Sequence, residues 1–230
     1  MWKRLDKCLK ECVVLANHPD AKWVGDRTPG RVQPGILIGS KVISLIRDGR
    51  DVLVSRAYHF YNNSKLFPKF EAMPANQKRL RAFRKDPQYF VKNPEQLLAC
   101  DEFVEASAMY WAQHVRHDMN QLQTKIAPEK SIEIRYEDVH EDTDRERKRM
   151  YEFLECDPAL AADLSFTTQA GFEKEMPNRF LRKGKVGDWR NYMDKRTIKI
   201  FNQQAGKLLV ELGYVDSLKW NAATPLKRAA

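Results

Sequence analysis

The opening stretch MWKRLDKCLKECVVLANHPD places Leu5, Leu9, Cys12, Val13 and Ala16 on one face. That three-and-four spacing predicts an amphipathic helix. AKWVGDRTPG, residues 21–30, reads as a short strand followed by a turn at Pro29 and Gly30. A near-continuous apolar run, Val42 to Ile46, stops at Asp48 and Gly49. A run apolar on both faces predicts a strand buried on both sides, as in a parallel sheet. It leads into DVLVSRAYHFYNN, a helix expected to begin near Arg50 or Asp51. From Ser64 to about Glu95 the pattern is loop and basic helix. Glu95 to Ile126 is a long amphipathic helix with Leu98, Phe103, Ala106, Tyr110, Val115 and Met119 as its inner stripe. SIEIRYEDV, Ser131 to Val139, is another strand. Asp144 to Cys156 is a helix with Met150, Phe153 and Leu154 inward, and a last helix ends near Gly213. Strands alternating with helices predict one α/β domain over residues 1–230, a parallel sheet flanked by helices.

Composition narrows the class. The chain has 230 residues, 43% hydrophobic and 31% charged, with a mean hydropathy of -0.63, as expected of a soluble protein. No apolar run is long enough to span a bilayer. The opening is not a secretory signal, because VVLA is too short and acids already stand at Asp6 and Glu11. A cytoplasmic location is the expectation. Cys8 and Cys12 sit one turn apart with no second close pair, so they suggest neither a zinc site nor a disulfide framework. His114 and His117 also sit a turn apart, without a matching acid or cysteine cluster, and read as a solvated helix face. No metal site is expected.

Net charge is +9, which points to an anionic partner without choosing among nucleic acid, acidic polysaccharide and a phosphorylated small molecule. The densest basic run, Lys78 to Asn93, interleaves cations with Phe83, Tyr89 and Phe90. It reads better as a helix with a basic outer face than as a nucleic-acid patch, since no nucleic-acid-binding motif accompanies it.

In a parallel sheet, ligands sit at the C-terminal ends of the strands. Asp26 and Arg27 follow the first expected strand, Arg47 ends the second, and Tyr136 and Glu137 end the third. Ser55 lies about two turns into the helix after Arg47. A cation and a hydroxyl so spaced can both reach one anion. LRKGKVGDWRNYM, residues 181–193, adds Arg182, Lys183 and two glycines that let backbone N–H groups come close to an anion. Each feature alone also fits an ordinary turn, loop or helix position.

Together and in this order they resemble the PAPS-dependent sulfotransferases. IRDGRDVLVSRAYHFY is similar to that family's 3′-phosphate segment, RKGKVGDW to its RKG-x-x-GDW loop, IRYEDV to its adenine-side strand, and WVGDRTP to its base strand in the acidic version of carbohydrate-type and many bacterial members. The likeness runs from about Lys22 to Tyr214 and implies a P-loop-like sulfotransferase fold. It implies that Arg47 and Ser55 hold the 3′-phosphate of PAPS, that Arg182, Lys183 and Gly184 close over it, and that Tyr136 contacts the adenine. Trp189 would anchor the loop by packing. Asp26 would be the catalytic base, with Arg27 where a lysine is usual. The acidic base position leans toward carbohydrate acceptors over phenols. PAPS would be the co-substrate and adenosine 3′,5′-bisphosphate the product, with a hydroxyl or amine as acceptor and no nucleic acid as partner.

One family part is missing from the chain. The glycine-rich loop that grips the 5′-phosphosulfate belongs upstream of the base strand. The residues before Asp26 hold a single glycine, Gly25. RTPGRVQPGILIGS, downstream, has no lysine–hydroxyl pair inside its turn. The expectation is an N-terminally incomplete fold, with Met1 internal to a longer reading frame. A non-catalytic nucleotide-binding remnant and a basic nucleic-acid-binding protein are the alternatives.

Overall fold

The computed structural model describes residues 40–160, 176–178 and 182–223, with positions 17, 20, 22, 23, 25 and 31–33. The expected opening helix, Asp26, Arg27 and the turn at Pro29 and Gly30 lie outside these residues.

Strand β1, Val42–Ile46, leads into helix α1, Gly49–Asn62. Helices α2, Pro68–Glu71, α3, Pro74–Lys85, and α4, Tyr89–Lys92, follow, and then the long α5, Asp101–Lys125. Strand β2, Ser131–Arg135, runs straight into α6, Tyr136–Glu141, and α7, Thr143–Phe153. A 3-10 turn at Asp188–Asn191 precedes the last helix, α8, Lys195–Glu211. Among the described residues the sheet is β1 and β2, paired in parallel from Val42 opposite Ser131 to Ile46 opposite Arg135. A parallel pair needs a crossover, and α1 to α5 supply it. The register ends both strands side by side, so Arg47 and Tyr136 leave the sheet at one edge.

Local chemistry explains the starts. Asp48 caps α1 by accepting from the Arg50 N–H at 2.9 Å, and Asp194 caps α8 by accepting from the Thr197 N–H at 2.7 Å. The core is formed where α1, α5 and α8 pack together. Leu53, Ala57, Phe60, Val104, Ala108, Phe201, Leu208 and Leu209 are all buried there.

Several expectations shift. β1 is not covered on both sides: Ile46 is buried, but Ile43 and Leu45 are 39% and 60% exposed. The second strand ends at Arg135, and Tyr136 opens a helix instead of closing the strand. The basic run breaks between α3 and α4, because Pro87 holds Asp86 in an extended conformation. Its apolar members Leu80, Phe83 and Phe90 are buried. α5 starts at Asp101, where two acids favour a helix N-terminus. Its inner face is Phe103, Val104, Ser107, Ala108, Trp111 and Ala112, while Tyr110 is 44% exposed. Met150, Phe153 and Leu154 are only half-buried. His114 and His117 are half-buried too; His117 Nε2 lies 3.2 Å from the Val32 carbonyl.

Candidate anion-binding site

An open cleft of about 500 Å³ lies beyond the C-terminal ends of β1 and β2. One face of α1 forms its floor. Asp51, Ser55, Tyr58 and Asn62 recur at three- and four-residue steps and all line it. The opposite face of the same helix, with Leu53, Ala57 and Phe60, goes to the core. Arg47 and Tyr136 enter from the strand ends, and Arg182, Lys183, Gly184 and Lys185 form the far wall. All six sequence-derived binding candidates, Arg47, Ser55, Tyr136, Arg182, Lys183 and Gly184, therefore line one cleft. Asp26 lies outside the described residues.

Arg47 is held from three sides. Its guanidinium stacks on the Tyr136 ring at 4.3 Å, and its Nη2 donates to the Lys185 carbonyl at 3.3 Å. Its own carbonyl accepts from Trp111 Nε1 at 3.2 Å. Its Nε is buried with no hydrogen-bond partner, a donor that an anion in the cleft could satisfy. Ser55 is exposed toward the cleft. Burial raises the Tyr136 phenol, which keeps it a neutral ring beside the Arg47 charge.

The turn between β1 and α1 is fixed by buried charges. The Arg50 guanidinium, 1% exposed, meets the Asp48 carboxylate in a two-point pair, with Nη2 2.6 Å from Oδ2. It lies 4.2 Å from the Trp189 ring and 4.9 Å from the Trp220 ring. The Asp48 N–H donates to Glu137 Oε1 at 2.9 Å, and Tyr214 donates to Glu137 Oε2 at 3.1 Å. Burial raises the carboxyl of Glu137 above its ordinary value. Gly49 touches α5 so closely that a Cβ there would fall 2.5 Å from the Trp111 ring.

The loop 182–189 is shaped by its own acid and by one from α1. Asp188 accepts from Arg182 and from Lys183, the latter at 2.6 Å, and from Asn191 at 2.9 Å. Burial alone would raise the Asp188 carboxyl; the bonds from Lys183 and Arg182 outweigh it and hold it low. Gly187 has φ 77°, a conformation glycine adopts without cost. Its N–H and that of Trp189 donate to the Asp51 carboxylate at 2.6 and 2.9 Å. Trp189 is fully buried and packs edge-on against Trp220 at 5.4 Å, the packing role expected of it. Four cations, Arg47, Arg182, Lys183 and Lys185, thus line the cleft together with two acids, Asp51 and Asp188.

Sequence reasoning missed Asp51 and Asp188 and assigned no task to Glu137. The available signal was the acids within the motifs themselves: RDGRD carries Asp48 and Asp51, YED carries Glu137 and Asp138, and GDW carries Asp188. Among the described residues no group of three or more His, Cys, Asp and Glu is arranged to hold a metal ion. No helix among them is long and apolar enough to cross a membrane.

The family described as "Sulfotransferase domain" matches residues 37–213. Among curated proteins, the chain is 28% identical to rat Sulfotransferase 1E1 over 189 residues, covering 71% of this chain and 52% of that protein. It is 27% identical to mouse Sulfotransferase 1A1 over 221 residues, covering 85% and 65%, and 26% identical to rat Sulfotransferase 1A1 over 226 residues, covering 87% and 67%. The chain spans about half to two thirds of the length of these relatives. No solved structure matches it at a significant level. With a match covering most of its length and a parallel α/β core, this chain belongs to the sulfotransferase domain family.

Proposed function

We propose that this protein binds PAPS and transfers its sulfuryl group to a hydroxyl or amine acceptor. The observation that carries the reading is the convergence of Arg47, Ser55, Tyr136, Arg182, Lys183 and Gly184 on one cleft. Arg47 and Ser55 hold the 3′-phosphate, Arg47 through its unpartnered Nε and Ser55 through its exposed hydroxyl. Tyr136 lies against the adenine. Arg182 and Lys183 add charge from the far wall, and Gly184 lets the backbone approach. The co-substrate supplies an activated sulfuryl group on a phosphate leaving group. The acceptor oxygen or nitrogen forms the new bond to sulfur as the sulfur–phosphate oxygen bond breaks. The acceptor's proton passes to Asp26, the base by resemblance, a role typically worth about 10²–10⁴-fold. As in phosphoryl transfer, most of the rate comes from positioning and from stabilising spread negative charge. The acidic base position favours a carbohydrate acceptor.

Calorimetric titration with adenosine 3′,5′-bisphosphate, with 5′-AMP as control, tests the nucleotide half. Binding that needs the 3′-phosphate is expected. Arg47→Ala is expected to weaken it roughly 10- to 100-fold, the scale of one charge-assisted contact. Equal affinity for the two nucleotides in a folded, monodisperse sample would overturn the site.

A further inference from the structure

The Asp51 carboxylate is 2% exposed yet stands on the cleft. Its two oxygens accept from the backbone N–H groups of Gly187 and Trp189, at 2.6 and 2.9 Å, across 136 and 138 residues of chain. Gly187 adopts its left-handed conformation at this anchor, and Asp188, between the two donors, gathers Arg182 and Lys183. The order is therefore a chain of contacts: α1 to Asp51, Asp51 to the backbone on either side of Asp188, and Asp188 to the two cations. We propose that Asp51 is the positioning residue of the anion-facing loop, holding Arg182, Lys183 and Gly184 over the cleft through the N–H groups of Gly187 and Trp189. The identity of the anion rests on the function proposed above; the tether does not.

The ionised carboxylate can accept from both N–H groups at once, and because burial pushes Asp51 up to about 7, the comparisons are made at about pH 8, where that form prevails. In Asp51→Asn the amide oxygen accepts from one, and its NH2 faces the other donor. The full chain and this variant are compared in three ways. Amide exchange on the unaltered chain is expected to be slower at Gly187 and Trp189 than at Lys185 and Val186. Limited trypsin digestion, followed by mass, is expected to cut after Arg182, Lys183 or Lys185 about tenfold faster in Asp51→Asn. The preference for adenosine 3′,5′-bisphosphate over 5′-AMP is expected to fall about tenfold in Asp51→Asn and to recover partly in Asp51→Glu. A role confined to the first turn of α1 would lower the melting temperature and leave this preference and the loop cleavage unchanged; that result overturns the proposal. If Asp51→Asn does not fold, fast exchange at Gly187 and Trp189 in the unaltered chain overturns it. If the unaltered chain binds neither nucleotide, the proposed function falls, and exchange and digestion still decide the tether.

Discussion

Single side chains at the strand-to-helix turn carry constraints of different kinds. Arg47 is placed by stacking on Tyr136 and by contacts to two distant backbones or rings. Gly49 is placed by what it lacks: any Cβ would strike the Trp111 ring, whose Nε1 holds the Arg47 carbonyl. Gly49→Ala is expected to destabilise the chain by about 1–3 kcal/mol, the usual range for overpacking, measured by denaturant unfolding. The same change is expected to weaken nucleotide binding, because relief of the clash moves the segment that aims Arg47. Unfolding free energy and affinity both unchanged would show that α5 moves aside freely.

At the level of elements, α1 and the loop 182–189 hold two buried carboxylates with opposite pH behaviour. Burial first, and the Asp48 charge second, push Asp51 from 3.8 up to about 7; Arg47 and the N–H groups of Gly187 and Trp189 pull the other way and do not prevail. The folded chain thus keeps a proton that the unfolded chain gives up above about pH 4. Stability from this group is complete below pH 3.8 and is lost as pH rises toward 7. Asp188 is held below 3.8, so its contribution is present above that pH and is lost as pH falls further. Thermal melts between about pH 2 and pH 8 are expected to show Asp51→Asn flattening the decline toward pH 7. Asp188→Asn is expected to reduce the loss on the acid side. Parallel pH profiles for the wild type and Asp51→Asn would mean that Asp51 stays ionised through this range.

For the whole molecule, the cleft joins the carboxyl ends of the sheet, the first helix and a loop from far along the chain. A ligand there bridges all three and binds the folded state alone. Adenosine 3′,5′-bisphosphate at 100 times its dissociation constant is expected to add about 2.7 kcal/mol of stability. The readout is a rise in melting temperature that 5′-AMP at the same concentration does not reproduce. No rise for either nucleotide would count against the proposed nucleotide site. The basic run of α3 and α4 buries Leu80, Phe83 and Phe90, while Lys78, Arg81, Arg84, Lys85 and Lys92 are exposed and Arg79 turns in to donate to the Ala99 carbonyl.

Local rules account for much that was legible in the chain itself. β1, the helix after it, the long α5 and the final helix follow from periodicity and from capping or turn residues that act within a few positions. The spacing of Arg47 and Ser55 is likewise local, since one turn and one helix face separate them. So is the need for glycine at Gly187. What only the tertiary structure decided is which groups answer one another across the chain. Asp51 reads as a helix residue until its carboxylate meets Gly187 and Trp189, and Glu137 as a strand-end acid until it joins Asp48 to Tyr214. The exposure of Ile43 and Leu45 belongs here too, because apolar pattern shows what a strand could bury and only packing shows what covers it. The reason is common to all three. A buried polar group must find a partner and an apolar face must find a cover, but nothing in local sequence says which distant segment supplies either one.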